Sequence, residues 1–319
     1  MKKGFQFYIK LYYKMATYDH IKTAVQSVFS DIEYVVEFIE YPWISCTIYT
    51  KDNSKCVTLD FYKYIEVRTL DKCGKSGTDS LSKVNELVKK LQTFKQIKLY
   101  DGSTISKCGI EIRLAYIKIL TTGKSWYNSQ GYFSRNYDSE FENNRIKICM
   151  KLTDFLDEVY ATNLKVFTEI EREKCKSEEG CELVISEKTQ GVILEQQQHK
   201  DKGLELFRPI CDEKITVIEF FRRIWDEINA YKLCDDKTKH EEWDETIVEK
   251  CKWLSKTIDF IYNSQILQYD PELIKRINIE KSGGKNKRKT SKNKNSKRKK
   301  TDLNTRSNNR RRQNKKRFY

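Results

Sequence analysis

One turn in this sequence has the chemistry to receive a phosphate. Asp71-Lys-Cys-Gly-Lys-Ser-Gly77 follows a β-rich run, Tyr64-Ile-Glu-Val-Arg68, and precedes an amphipathic stripe formed by Leu81, Val84, Leu87, Val88, Leu91 and Phe94. A strand therefore enters a glycine-containing turn that opens a helix. The first N–H groups of a helix lack partners and carry partial positive charge, and a glycine there lets an anion approach the backbone. Lys72, Gly74, Lys75, Ser76, Gly77 and Thr78 are the candidate residues, the two lysines adding charge. Neither nucleotide fingerprint is complete: there is no Gly-x-Gly-x-x-Gly, and Gly74-Lys75-Ser76 keeps only the end of a Walker loop. The same residues also suit an ordinary strand-to-helix turn.

Other chemistries find less support. The 10 cysteines are scattered with no Cys-x-x-Cys, and His20, His199 and His240 do not stand at metal-ligand spacing from a cysteine pair. Reduced, buried thiols and no metal are expected. No Ser/His/Asp, Cys/His or paired-carboxylate signature is present.

The elements that must position the turn are readable from periodicity. Ile21, Ala24, Val25 and Val28 share one helical face within residues 17–30. Tyr34–Glu40, Trp43–Tyr49, and the alternating Val57, Leu59 and Phe61 predict antiparallel strands, with Pro42 and the polar Lys51–Lys55 stretch as breaks. After the amphipathic helix, capped from Thr78, Asp79 or Ser80, Gln96–Asp101 predicts a further strand and Ile110–Leu120 a further helix.

This order leads into Thr122-Gly-Lys-Ser-Trp-Tyr-Asn-Ser-Gln-Gly-Tyr132, where Tyr127-Asn-Ser-Gln-Gly131-Tyr132 fits a Tyr-x-x-x-Gly-Phe/Tyr element. Over roughly residues 17–140 the chain resembles the GNAT N-acetyltransferase core, and Lys72–Gly77 with Ile119–Tyr132 looks like GNAT-like proteins of mimivirus-type giant viruses. The resemblance implies an acetyl-CoA site on the glycine turn and direct attack of an amine, its identity unknown, on the acetyl thioester. It also implies backbone N–H groups near Glu66–Leu70 to polarise the carbonyl, and Tyr127 as the acid that protonates the departing thiolate. Glu66 and Asp101, on or at the ends of adjacent strands, are the alternatives for a base. Aligning the family's diphosphate motif on Gly77 puts Asp79 near the diphosphate, which suits an anion only if that carboxylate caps the helix and faces away.

The second half predicts helices. Leu152, Phe155, Leu156, Val159 and Tyr160 fall at helical spacing, as do Ile218, Phe221, Trp225 and Ile228, and then Trp243, Ile247, Cys251, Leu254, Ile258 and Ile261. Between them Leu183–Ile185 and Val192–Leu194 predict a small hairpin, and Asp270-Pro271 a last short helix. The expected class is α+β: a GNAT-like mixed sheet flanked by helices, then a helical region and a disordered basic tail. The expected divisions are an extension or first strand over 1–16, an α/β domain over 17–140, a helical region over 141–280 and the tail over 281–319.

The formal net charge of +15 belongs to the tail. Residues 281–319 hold 18 Lys and Arg against the single acid Asp302, whereas the rest of the chain has 43 basic and 45 acidic residues. Such a composition buries too little surface to fold, and its capability is to neutralise phosphates. Lys287, Arg288, Lys289, Lys297, Arg298, Lys299, Lys300, Arg310, Arg311 and Arg312 are the candidate contacts to DNA or RNA, without sequence preference. Gly283-Gly-Lys-Asn-Lys-Arg-Lys-Thr290 also resembles the Gly-Gly-Lys-rich tails of giant-virus proteins, which implies a place in the host cytoplasm, at the viral factory, or in the virion. No apolar run approaches the ~20 residues that cross a bilayer, and a non-secreted protein is expected. Binding to a random duplex, followed by fluorescence anisotropy, should weaken by roughly 10³ to 10⁵ between ~50 and ~200 mM salt if six to ten tail cations engage. Removing residues 281–319 should remove that salt dependence.

Overall fold

Alternating apolar and polar residues build a sheet whose inward face is sealed by two helices. The computed structural model describes residues 18–30, 35–41, 43–50, 54–70, 76–174, 181–210, 212, 214–235 and 237–277. Strands β1 (Val35–Tyr41), β2 (Trp43–Tyr49), β3 (Lys55–Phe61) and β4 (Ile65–Leu70) form an antiparallel meander. In β2 the pattern has period two: Ile44, Cys46 and Ile48 are buried, while Ser45, Thr47 and Tyr49 are half-buried on the other face. Helix α1 (Tyr18–Val28) and helix α2 (Gly77–Leu91) bury the stripes that their spacing predicts, Ile21, Ala24, Val25 and Val28 against Leu81, Val84, Leu87, Val88 and Leu91. The cap of helix α2 is Ser76, two residues before the first of the expected caps, because Ser76 Oγ accepts from the Asp79 N–H at 3.2 Å.

Helix α2 carries the chain over to β5 (Gln96–Tyr100), which pairs in parallel with β4. The other edge of β5 is paired antiparallel by β8 (Glu272–Arg276), so the six-stranded sheet runs β1-β2-β3-β4-β5-β8. Between β5 and β8 lie β6 (Thr104–Lys107), β7 (Ile110–Arg113), α3 (Leu114–Thr122), α4 (Trp126–Ser129), α5 (Tyr137–Ile148), α6 (Leu152–Lys174), α7 (Cys181–Leu206), α8 (Val217–Ala230) and α9 (Glu245–Ser264). The class is therefore α+β, a mixed sheet with helices and a helical region after it. Two cores interleave within one compact unit that ends at Ile279. The sheet core includes Tyr127, Tyr132 and Leu273, and the helical core takes in α3 and Ile112 of β7. Residues 281–319, the expected tail, lie outside the described residues, as do residues 1–16.

Several expectations are corrected by the fold. Ile110–Leu120 is not one helix: Ile110 and Ile112 alternate in the β6–β7 hairpin, whose turn places Cys108 and Gly109 at φ 48° and 71°, and the helix begins at Leu114. The predicted hairpin over 183–194 is part of the continuous helix α7, with Gly191 inside it. Packing overrides that glycine, since Lys188 pairs with Glu171 of α6 at 2.6 Å and Gln196 bonds Asn163 of α6 at 3.3 Å. Asp270-Pro271 opens strand β8, not a helix: Asp270 Oδ1 accepts from Glu272 N at 2.8 Å, and Pro271 O accepts from Asp101 N at 2.9 Å. The hairpin turn also brings Cys108 against Cys234, 126 residues later, with their Cα atoms 4.3 Å apart.

Within the helical region α7 and α9 meet closely at one point. The His199 ring stacks on the Trp253 indole at 5.2 Å and 9°, its Nε2 lies 2.8 Å from Thr257 Oγ1, and burial holds its pKa down at about 4. Trp253 Nε1 donates to His199 O at 2.9 Å, and a Cβ added at Gly203, one turn on, would stand 2.5 Å from that nitrogen. A glycine-to-alanine change at an exposed helical position gains about 1 kcal/mol. Gly203→Ala should instead lose about 1–3 kcal/mol by overpacking. The urea midpoint of the variant measures this; an unchanged or higher midpoint would show that α7 is not seated against Trp253.

Candidate functional site

The parallel pair β4–β5 opens into a fork. Against β3, Thr58 pairs Thr69 but Leu59 pairs Val67, so Arg68 is an extra residue that bulges β4. The β4–β5 ladder covers only Ile65–Val67 with Ile97–Leu99 and stops at that bulge. Beyond Val67, β4 continues to Leu70 paired with β3 alone, and the edge that would face β5 has no strand partner among the described residues. Arg68 is held on the sheet's other face, with Nε 2.9 Å from Asp60 Oδ2 and Nη1 3.2 Å from Glu66 Oε1.

The chain leaving β4 enters α2, whose first turn is already engaged. Ser76 Oγ donates to Asp79 Oδ2 at 2.7 Å while accepting from Asp79 N, so a carboxylate sits on the N-cap. The Trp126 ring closes over the same turn, 3.6 Å from where a Cβ on Gly77 would be. Ser125 and Asn128 cap α4 reciprocally, and Gly131, at φ 82°, turns the chain so that Tyr132 reaches Asn85 of α2 and Phe133 bridges Ile274 of β8. The element Tyr127–Tyr132 is thus pinned between α2 and β8.

A cavity of about 400 Å³ opens where β5 ends. Asp101, only 7% exposed, forms its floor. Its Oδ1 accepts from Ser103 Oγ at 2.5 Å and from Ser103 N at 3.2 Å, and its Oδ2 accepts from the Tyr269 hydroxyl. Burial and the Asp101 carboxylate push the Tyr269 pKa far up, so Tyr269 stays a neutral donor; Ser125 also lies within its reach. Tyr116 meets Tyr262 and Tyr269 edge to face at 5.7 and 6.1 Å, and burial raises its own pKa to about 12. At the rim the Arg113 guanidinium lies 4.1 Å over the Tyr262 ring, with Nε 3.2 Å from Asp259 Oδ1.

Of the three expected acid–base residues, Asp101 lines this cavity. Tyr127 is buried among Trp126 and Tyr132, outside the cavity lining. Glu66 is elsewhere: it pairs in register with Lys98 and is tied to Arg68. Of the expected diphosphate residues, Ser76, Gly77 and Thr78 stand at the start of α2, while Lys72, Gly74 and Lys75 lie outside the described residues, as do the tail cations from Lys287 to Arg312. Among the described residues no group of three or more His, Cys, Asp or Glu side chains is placed to hold a metal, and no helix is long and apolar enough to cross a membrane. Compared with known families, curated proteins and solved structures, the chain matches no family, no curated protein and no solved structure.

The sequence reading missed Arg113, Tyr116, Tyr262 and Tyr269. Their one visible trace is the abundance of tyrosine, 19 in all, which does not say which rings converge. Tyr269→Phe removes a donor from a buried carboxylate and should lower stability by about 1–3 kcal/mol. Chemical denaturation tests this, and a loss below ~0.5 kcal/mol, the usual size for a surface change, would mean that the hydroxyl does not hold Asp101.

Proposed function

We propose that this chain is a GNAT-type N-acyltransferase that moves an acetyl group from acetyl-CoA to an amine, with a tail that engages nucleic acid nonspecifically. The observation that carries the reading is the fork at Arg68. A bulge that ends the pairing of two parallel strands leaves backbone donors along an open seam, and an extended thioester arm needs such a seam. The turn into α2 directly after β4, the antiparallel partner on β5 and the Tyr127–Gly131–Tyr132 element agree with the same fold family. Bound acetyl-CoA would supply the activated acetyl group. For the chain's own residues, the N–H groups of β4 beyond Val67 would face the acyl oxygen, and Tyr127 would give its proton to the sulfur that leaves. Asp101, with an acceptor position still open on Oδ2, would take the proton that the amine sheds. Glu66, held by Arg68, is the less available base.

A second reading has its own support. The fork fits a thioester arm, but the first turn of α2 fits a diphosphate poorly, since Asp79 already sits on the cap and Trp126 covers Gly77. These two features favour a GNAT-like scaffold that binds without catalysis, acting through its basic tail at a viral factory or in a virion. Calorimetric titration of the full chain with acetyl-CoA and desulfo-CoA separates the readings, with inorganic pyrophosphate as the control for binding by tail charge. Saturable micromolar binding of one coenzyme per chain, weakened at least tenfold by Gly77→Phe, is the expected result. Coenzyme binding no tighter than pyrophosphate would overturn the enzyme reading and leave the scaffold.

A further inference from the structure

The cavity beyond Asp101 is walled by parts of the chain that the fork does not use: the start of α3, the end of α9 and the segment leading into β8. At about 400 Å³ it has the size of a small-molecule site. Its charged wall residues are Asp101 and Arg113. Arg113 is already neutralised by Asp259 and stacked on Tyr262. Asp101 is different: its Oδ1 has two donors, but Oδ2 has only the Tyr269 hydroxyl, and a carboxylate oxygen accepts two hydrogen bonds. Around it stand Tyr100, Tyr116, Tyr262 and Tyr269. A buried carboxylate with spare acceptor capacity, inside a ring of neutral phenols, attracts an organic cation by charge and by the aromatic quadrupole.

We propose that this cavity binds a small organic ammonium ligand, its nitrogen on Asp101 Oδ2 and its carbon body against Tyr100 and Tyr116. On the acyltransferase reading, on which this part rests, the ligand is the acceptor amine. Deprotonation of the bound ammonium by Asp101 gives the neutral amine; the new N–C bond then replaces the C–S bond, the sulfur leaves with the Tyr127 proton, and the second proton of the acylated nitrogen passes to the Tyr127 phenolate, so that Asp101 alone has to return a proton to water. The site is thus a specificity pocket built by the helical half onto the end of the sheet.

The test uses full-length protein without coenzyme, titrated calorimetrically with 2-phenylethylamine and with its neutral analogue 2-phenylethanol. The amine should bind at least about tenfold more tightly, because only it offers a charged donor to the carboxylate. Asp101→Asn should erase that preference. Tyr100 is 68% exposed and outside both cores, so Tyr100→Leu should weaken the amine severalfold while the melting temperature holds, which keeps the test intact if Asp101→Asn fails to fold. Equal affinity for amine and alcohol, or amine binding unaffected by Tyr100→Leu, would overturn the proposal. Amine binding in a protein that fails the coenzyme titration keeps the cavity assignment and removes the acyltransferase; coenzyme binding without amine preference removes the cavity assignment alone.

Discussion

A buried carboxylate must collect donors from whatever surrounds it, and around Asp101 those donors come from near and far along the chain. Ser103 supplies two from the next turn, and Tyr269 supplies one from 168 residues away. The Asp101 N–H in turn is satisfied by Pro271 O. Meeting these needs brings residues 269–271 to the end of β5, and once they are there Glu272–Arg276 can only continue as its antiparallel neighbour. The strand that completes the sheet, the ring of tyrosines and the closure of the cavity all depend on that one anchoring point.

The anchor also explains why the two cores share a seam without merging. The sheet core is closed by α1, α2 and the Tyr127–Tyr132 element on one face, and the helical core gathers α3 with α6 to α9. Between them run polar ties: Asn144 Nδ2 donates to Gln268 O at 2.8 Å and Asn143 Nδ2 to Ile266 O at 3.2 Å, holding the chain on its way from α9 to β8. Glu140, buried beside Ser134 and the Asp270 backbone, has its pKa raised by that burial. Hydrogen bonds of this kind fix direction where hydrophobic packing alone would permit sliding.

What could be read from the sequence follows the range of the forces involved. Helices α1 and α2 were legible residue by residue, because their stripes answer only to a period of 3.6 and to the sheet beneath them. Ile110, Ile112, Leu114 and Ile117 fit period two and a helical face about equally well, and the tight turn at Cys108-Gly109 decided the matter. Helix α7 was illegible because its polar residues and Gly191 conceal a face defined only by α6 and α9. Asp270-Pro271 is equally at home before a helix or a strand, and what selects the strand is an open edge on β5. Of the site, Asp101 was visible as a strand-end carboxylate, and Tyr127 through a local motif. The tyrosines that surround Asp101 come from three separate segments, and no local pattern announces such a meeting.

The late origin of β8 has a consequence for how the molecule is made. While the chain emerges in order, β5 has a partner on the β4 side and a bare row of amides and carbonyls on the other until Glu272–Arg276 follows, some 170 positions later. Such an edge is a template for foreign strands, and sheets whose closing strand lies far along the chain form slowly. The helices between β5 and β8 all precede that strand in the chain. Nascent protein is therefore open to chaperones and to misassembly at β5, the same strand whose tip later carries Asp101.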